Sequence, residues 1–92
     1  MQFAKHIREK VIDGSVTCSI RIWQSPRVKA GGRYRVGDGF IDVTSVRQIS
    51  LSDITPALAR KSGFAGVVDL LKTARHGTGQ TIYLVEFVYA DA

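Results

Sequence analysis

The sequence predicts an α+β domain, a small, partly closed β-barrel flanked by helices. Three observations carry this prediction. Period-two alternation marks several short strands joined by glycine turns. Helical stripes are confined to the start of the chain and to the stretch before the last strand. The strand–helix–strand alternation of a parallel sheet is missing. Ninety-two residues suffice for one domain, 1–92, around one core. Hydrophobic residues are 45% of the chain and charged residues 23%, too apolar for a disordered polypeptide.

Phe3, Ile7 and Val11 recur at i, i+4 and i+8, with Ala4 and Ile12 beside them, so the first element is a helix that Asp13-Gly14 ends. Val16 to Trp23 alternates strictly. Val16, Cys18, Ile20 and Ile22 form one face; Thr17, Ser19, Arg21 and Trp23 form the other. Residues 24–32 hold Pro26 and Gly31-Gly32 and read as a loop. Arg33-Tyr34-Arg35-Val36 is a short strand, Gly37-Asp38-Gly39 a hairpin turn, and Phe40 to Val46 the returning strand, extending towards Ile49. Thr55 is placed to cap a short helix with Pro56 in its first position, and Gly63 stops it. Phe64, Val67, Val68 and Leu71 form a second helical stripe, with Lys72, Arg75 and His76 in its last turn where the helix dipole favours cations. Thr81 to Tyr89, apolar on both faces, is the last and central strand.

No apolar run approaches the ~20 residues of a membrane span, and the start of the chain lacks the apolar stretch of a secretory signal. The lone Cys18 has no partner for an internal disulfide, which predicts a cytoplasmic protein. Cys18, His6 and His76 are too scattered to predict a metal site. No phosphate-loop or dinucleotide fingerprint is present, so no cofactor is expected.

The formal charge is +5, and it is concentrated. Between Gly14 and Gly37 there is no acidic residue, while Arg21, Arg27, Lys29, Arg33 and Arg35 all fall there. On the strand face Thr17, Ser19, Arg21, Trp23, hydroxyls can donate to phosphate or base edges, a guanidinium can clamp a phosphate, and an indole can stack on a base. A solvated face with Trp23 under a loop is the competing reading. Arg27, Lys29, Arg33 and Arg35, interleaved with Tyr34, form the expected basic rim; a merely solvated hairpin explains the same charges. Arg60-Lys61 would extend that rim or serve only the helix dipole. Tyr83 and Tyr89 read as core, and His6 as a surface residue.

The run Gly14 to Trp23 resembles the ASCH domain, whose signature is roughly G-x-K-T-x-[ST]-x-R after a first helix. Lys29-Ala30-Gly31-Gly32-Arg33-Tyr34-Arg35-Val36 and Ile82-Tyr83-Leu84-Val85-Glu86-Phe87 resemble that family's later strands, in the same order. The resemblance implies a PUA-like β-barrel with flanking helices and an RNA-binding cleft on the signature strand. Some small members hydrolyse N4-acetylcytidine, using a signature lysine, the second Thr/Ser and a glutamate. Thr17, Ser19 and Arg21 match the motif here. Val16 stands at the lysine position, Ser62 falls near the glutamate position, and no Glu occurs from Gly14 to Ile82.

The function expected is therefore a module binding RNA, or a modified nucleoside in it, through Thr17, Ser19, Arg21 and Trp23, with Arg27, Lys29, Arg33, Arg35 and Lys61 around them. The alternative is a small hydrolase, an N4-acylcytidine amidohydrolase or a ribonuclease, with Ser19 as its best catalytic candidate. Without the lysine and glutamate, the usual general acid–base pair for amide hydrolysis is missing.

Overall fold

A computed structural model describes residues 1–74 and 79–91. The elements run α1 (Lys5–Ile12), β1 (Cys18–Trp23), β2 (Arg33–Val36), β3 (Gly39–Ile49), a 3-10 turn (Leu51–Asp53), α2 (Pro56–Lys61), α3 (Val67–Ala74) and β4 (Thr81–Ala90). The four strands form one antiparallel sheet in the order β1-β4-β3-β2, curled into a half-barrel, with β1 and β2 as its two edges. The strand that is apolar on both faces is thus central, as its composition predicts. The α+β class and the short antiparallel hairpin at Gly37-Asp38-Gly39 are observed.

The curl has a local cause. The register of β3 against β4 slips between Val43 and Ser45, and the Thr44 hydroxyl donates to the Glu86 carbonyl at 3.2 Å. An extra residue on one strand bends it and increases its twist. A second irregularity lies across from Val43. Its carbonyl accepts from Gly31 N–H at 2.8 Å, and its N–H donates to the Gly32 carbonyl at 2.9 Å. Gly31 sits at φ +83°, a conformation that a side chain would strain. The loop before β2 is thereby tied to β3 instead of hanging free.

The sheet separates two buried clusters. Cys18, Ile20 and Leu84 pack beneath α2 and α3 against Ala59, Leu70 and Ala74. Val85 and Phe87 face the other way and meet Ile7 and Val11 of α1, with Trp23, Val28 and Ile41. Leu70 and Val11 are fully buried, and each such side chain contributes about 1.5–3 kcal/mol relative to exposure.

Thr55 caps α2 as expected, its hydroxyl oxygen accepting from Leu58 N–H at 3.1 Å, with Pro56 in the first turn. Gly63, at φ +95°, closes α2. Its N–H donates to the Arg60 carbonyl and that of Phe64 to the Ala59 carbonyl, both at 3.0 Å, which is the paired bonding of a Schellman end. That turn aims Phe64 back towards the sheet.

Four expectations are corrected. The first helix begins at Lys5, so Phe3 lies in the segment before it, and Ile12 is exposed. Strand β1 begins at Cys18. Val16 donates its N–H to the Lys10 carbonyl at 3.1 Å and joins the α1 cluster, not that of Cys18 and Ile20. In α3 the inward residues are Leu70 and Ala74, flanked by Val67 and Leu71, whereas Val68 is 66% exposed. Phe64 is outside α3, in the turn after α2, so a helical period counted from it is displaced. Arg75 and His76, expected in the last turn of that helix, lie outside the described residues. Among the described residues no helix is long and apolar enough to cross a membrane.

Candidate functional site

Alternation along β1 sends Ser19, Arg21 and Trp23 to the side opposite Cys18 and Ile20. That side is covered, not solvated: Ser19 is 8% and Trp23 7% exposed. Residues 1–4, ahead of α1, pass over it, and the 24–32 loop closes from the far end. Between them lies a cavity of about 720 Å³, within the range of small-ligand sites. Both sheet edges contribute to its wall, β1 through Ser19, Arg21 and Trp23, and β2 through Tyr34. Arg27 and Val28 come from the loop, and Phe64 from the Schellman turn.

Arg21 is the charged centre of the wall. Its Nε donates to Ser19 Oγ at 2.9 Å. Its Nη2 donates to the main-chain carbonyl of Gln2, and its guanidinium carbon lies 5.0 Å from the centroid of the Phe3 ring. All these partners are neutral. The ion pairs among the described residues join Arg33 to Asp42 and Arg47 to Glu86, so no described carboxylate meets Arg21. Burial lowers its pKa to about 10, leaving it charged at neutral pH. A cation taken out of water without a counter-charge is the arrangement that favours capture of an anion.

The aromatic part of the wall is held firmly. The Trp23 and Tyr83 ring centroids are 6.0 Å apart at 37°, and the Tyr34 hydroxyl accepts from Lys29 N–H at 2.9 Å. Phe3 stacks obliquely on Phe87, with centroids 5.7 Å apart. Rigid aromatic faces beside a guanidinium suit a planar, anion-bearing ligand.

The structure divides the residues expected at the site. Ser19, Arg21, Trp23 and Arg27 line the cavity; Thr17, Lys29 and Lys61 are exposed and do not. Thr17 precedes β1, and its carbonyl accepts from Phe87 N–H at 3.0 Å. Arg33 and Arg35 alternate with Tyr34 and Val36, so they project from the other face. Their guanidinium carbons lie 5.3 and 5.5 Å from the Phe40 ring centroid, and Arg33 Nε and Nη2 donate to Asp42 at 2.7 and 3.0 Å. Arg35 also borders a smaller hollow of about 280 Å³ shared with Arg8. The expected continuous basic rim is therefore split between two surfaces. Sequence reasoning missed Gln2 and Phe3 as partners of Arg21, and Phe64 as wall. Only the residue after a helix-ending glycine gave a signal, for Phe64.

No Asp, Glu, His, Lys or Cys is among the described lining residues, and no described group of acidic, His and Cys side chains is arranged to hold a metal ion. The cavity therefore offers hydrogen-bond donors, aromatic faces and positive charge. No family model, curated protein or solved structure matches the chain.

Proposed function

We propose that this domain, a PUA-like half-barrel of the ASCH type, binds RNA in the cytoplasm by seating a nucleotide in the cavity between its two sheet edges. The observation that carries the reading is Arg21: a buried guanidinium without a described counter-charge, hydrogen-bonded to Ser19 and flanked by aromatic walls. Arg21 and Ser19 engage phosphate or base edges, Trp23 and Tyr34 line the space for the base, and Arg27 adds positive charge at the loop. The resemblance of Thr17, Ser19 and Arg21 to the ASCH signature supports the same assignment.

The hydrolase alternative has Ser19 for a nucleophile, but the Ser19 hydroxyl already accepts from Arg21. A nucleophilic hydroxyl is activated by a base that receives its proton. A guanidinium cannot take that proton, and no Asp, Glu, His or Lys is among the described lining residues to do so, which supports the binding reading.

The test is anisotropy of labelled single-stranded RNA at low and moderate salt, with wild type and Arg21→Ala. Binding that weakens with salt and with loss of Arg21 supports the reading. Undetectable binding at low salt, or binding indifferent to both changes, overturns it.

A further inference from the structure

Three contacts hold the Arg21 guanidinium in the cavity wall. Two are hydrogen bonds in which it donates, to Ser19 Oγ at 2.9 Å and to the Gln2 carbonyl. The third is an aromatic face. The centroid of the Phe3 ring lies 5.0 Å from the guanidinium carbon, within reach of a cation–π attraction. That ring is itself anchored. It packs obliquely on Phe87, which is buried in the central strand β4, and it adjoins the cluster that holds Ile7 and Val11. Contacts therefore run without a break from the sheet core through Phe3 to Arg21. The hydrogen bonds use two of the five guanidinium N–H groups.

Resting on the RNA reading above, we propose that Phe3 is a positioning residue for RNA: its ring face holds the Arg21 guanidinium in the orientation that receives the ligand's phosphate or base edge. Arginine ends a long, flexible stem, and a side chain that becomes ordered only on binding costs affinity. An aromatic face draws the cation through its quadrupole and takes none of its N–H groups as a conventional acceptor would. It therefore orients the guanidinium while leaving its donors for an anion. A carboxylate in the same place would occupy those donors and cancel the charge, and no described carboxylate meets Arg21. The role requires the ring and not apolar bulk alone: leucine keeps the bulk but has no π face.

Single-stranded RNA is titrated by anisotropy against wild type, Phe3→Leu and Phe3→Tyr, each also in an Arg21→Ala background. Exchange of the Arg21 Nε proton is followed in the free proteins that keep Arg21. Phe3→Leu is expected to weaken binding about three- to tenfold, the span of one cation–π contact, and to speed the Nε exchange. Phe3→Tyr keeps the ring face and is expected to bind within about twofold of wild type. Without Arg21, Phe3→Leu is expected to change affinity by less than about twofold, because the two residues act as one unit. A Phe3→Leu loss of equal size with and without Arg21 overturns the proposal, since Phe3 then meets the RNA directly. Wild-type affinity and unchanged Nε exchange in Phe3→Leu overturn it too, and leave Arg21-dependent binding intact. No RNA binding by the wild type overturns the RNA reading and this role with it. Where Phe3→Leu does not fold, Phe3→Met replaces it with the same expectations.

Discussion

The cavity wall and the β2–β3 hairpin each hold an arginine from the same acid-free stretch, in opposite circumstances. Arg33 stands on the open face of the hairpin. Its side chain is 56% exposed, and it makes two hydrogen bonds to Asp42. Arg21 is mostly buried and meets only a hydroxyl, a carbonyl and a ring. The hairpin cation is satisfied within the chain and in water. The cavity cation is deprived of water and has no described carboxylate. A residue's charge does not say whether it is available to a ligand; its desolvation and its partners do.

The comparison breaks or holds most directly on affinity. Arg21→Ala is expected to weaken single-stranded RNA binding about ten- to hundredfold, the range for losing charge-assisted hydrogen bonds, while Arg33→Ala stays within twofold. Equal losses in the anisotropy titration would show that the two arginines form one surface after all. Next comes stability. Replacing a buried, uncompensated charge by an apolar side chain of similar length relieves desolvation. Arg21→Met should therefore raise unfolding stability by about 1 kcal/mol, seen as a higher urea midpoint at unchanged slope. A lower midpoint would mean that Gln2, Phe3 and Ser19 already compensate the charge.

Salt gives a finer division. Each phosphate neutralised on a single strand adds about 0.7 to the steepness of the log–log salt dependence. Arg27→Ala is expected to flatten it by about that much, and Arg33→Ala to leave it unchanged. The smallest effect is a pH dependence confined to the hairpin. The hydrogen bond and charge of Arg33 hold the Asp42 carboxyl below its ordinary 3.8. A carboxylate with a lowered folded pKa stabilises the fold above its unfolded value, and that contribution fades as pH falls through the folded value. Because the pair is exposed, the contribution is small and screened. Acid unfolding curves of wild type and Asp42→Asn should converge below that window; separation persisting there would tie Asp42 to more than Arg33.

Much of the fold was legible because it is written in local patterns. Arg33–Val36, the Gly37-Asp38-Gly39 turn, the Thr55-Pro56 helix start and the central last strand all follow from period, turn chemistry and capping. The same period-two rule already sends Arg33 and Arg35 away from Tyr34. What no local pattern reveals is closure. That Ser19 and Trp23 are covered depends on where residues 1–4 and 24–32 lie after the sheet curls, and the curl depends on the slip at Thr44. Val16 shows the same limit. Its alternation with Cys18 is perfect in sequence, yet a bond to Lys10 ties it to the first helix. The site was thus half legible: its wall residues on β1 and Arg27 were, and the partners of Arg21 were not.

The carbonyl of Gln2 on Arg21 also bears on rates. Ser19 and Gln2 take two of the five N–H groups of the guanidinium, which leaves the others for an anion, while the Gln2 contact holds residues 1–4 over the cavity. If residues 1–4 must lift before a ligand enters, the observed association rate levels off at high ligand concentration, at the rate of lifting. A rate that stays linear in RNA concentration would instead show the ligand reaching Arg21 by another side of the cavity. Where residues 1–4 do gate entry, slow opening and slow closing set residence time independently of the contacts inside, so that two RNAs of equal affinity need not share a lifetime on the protein.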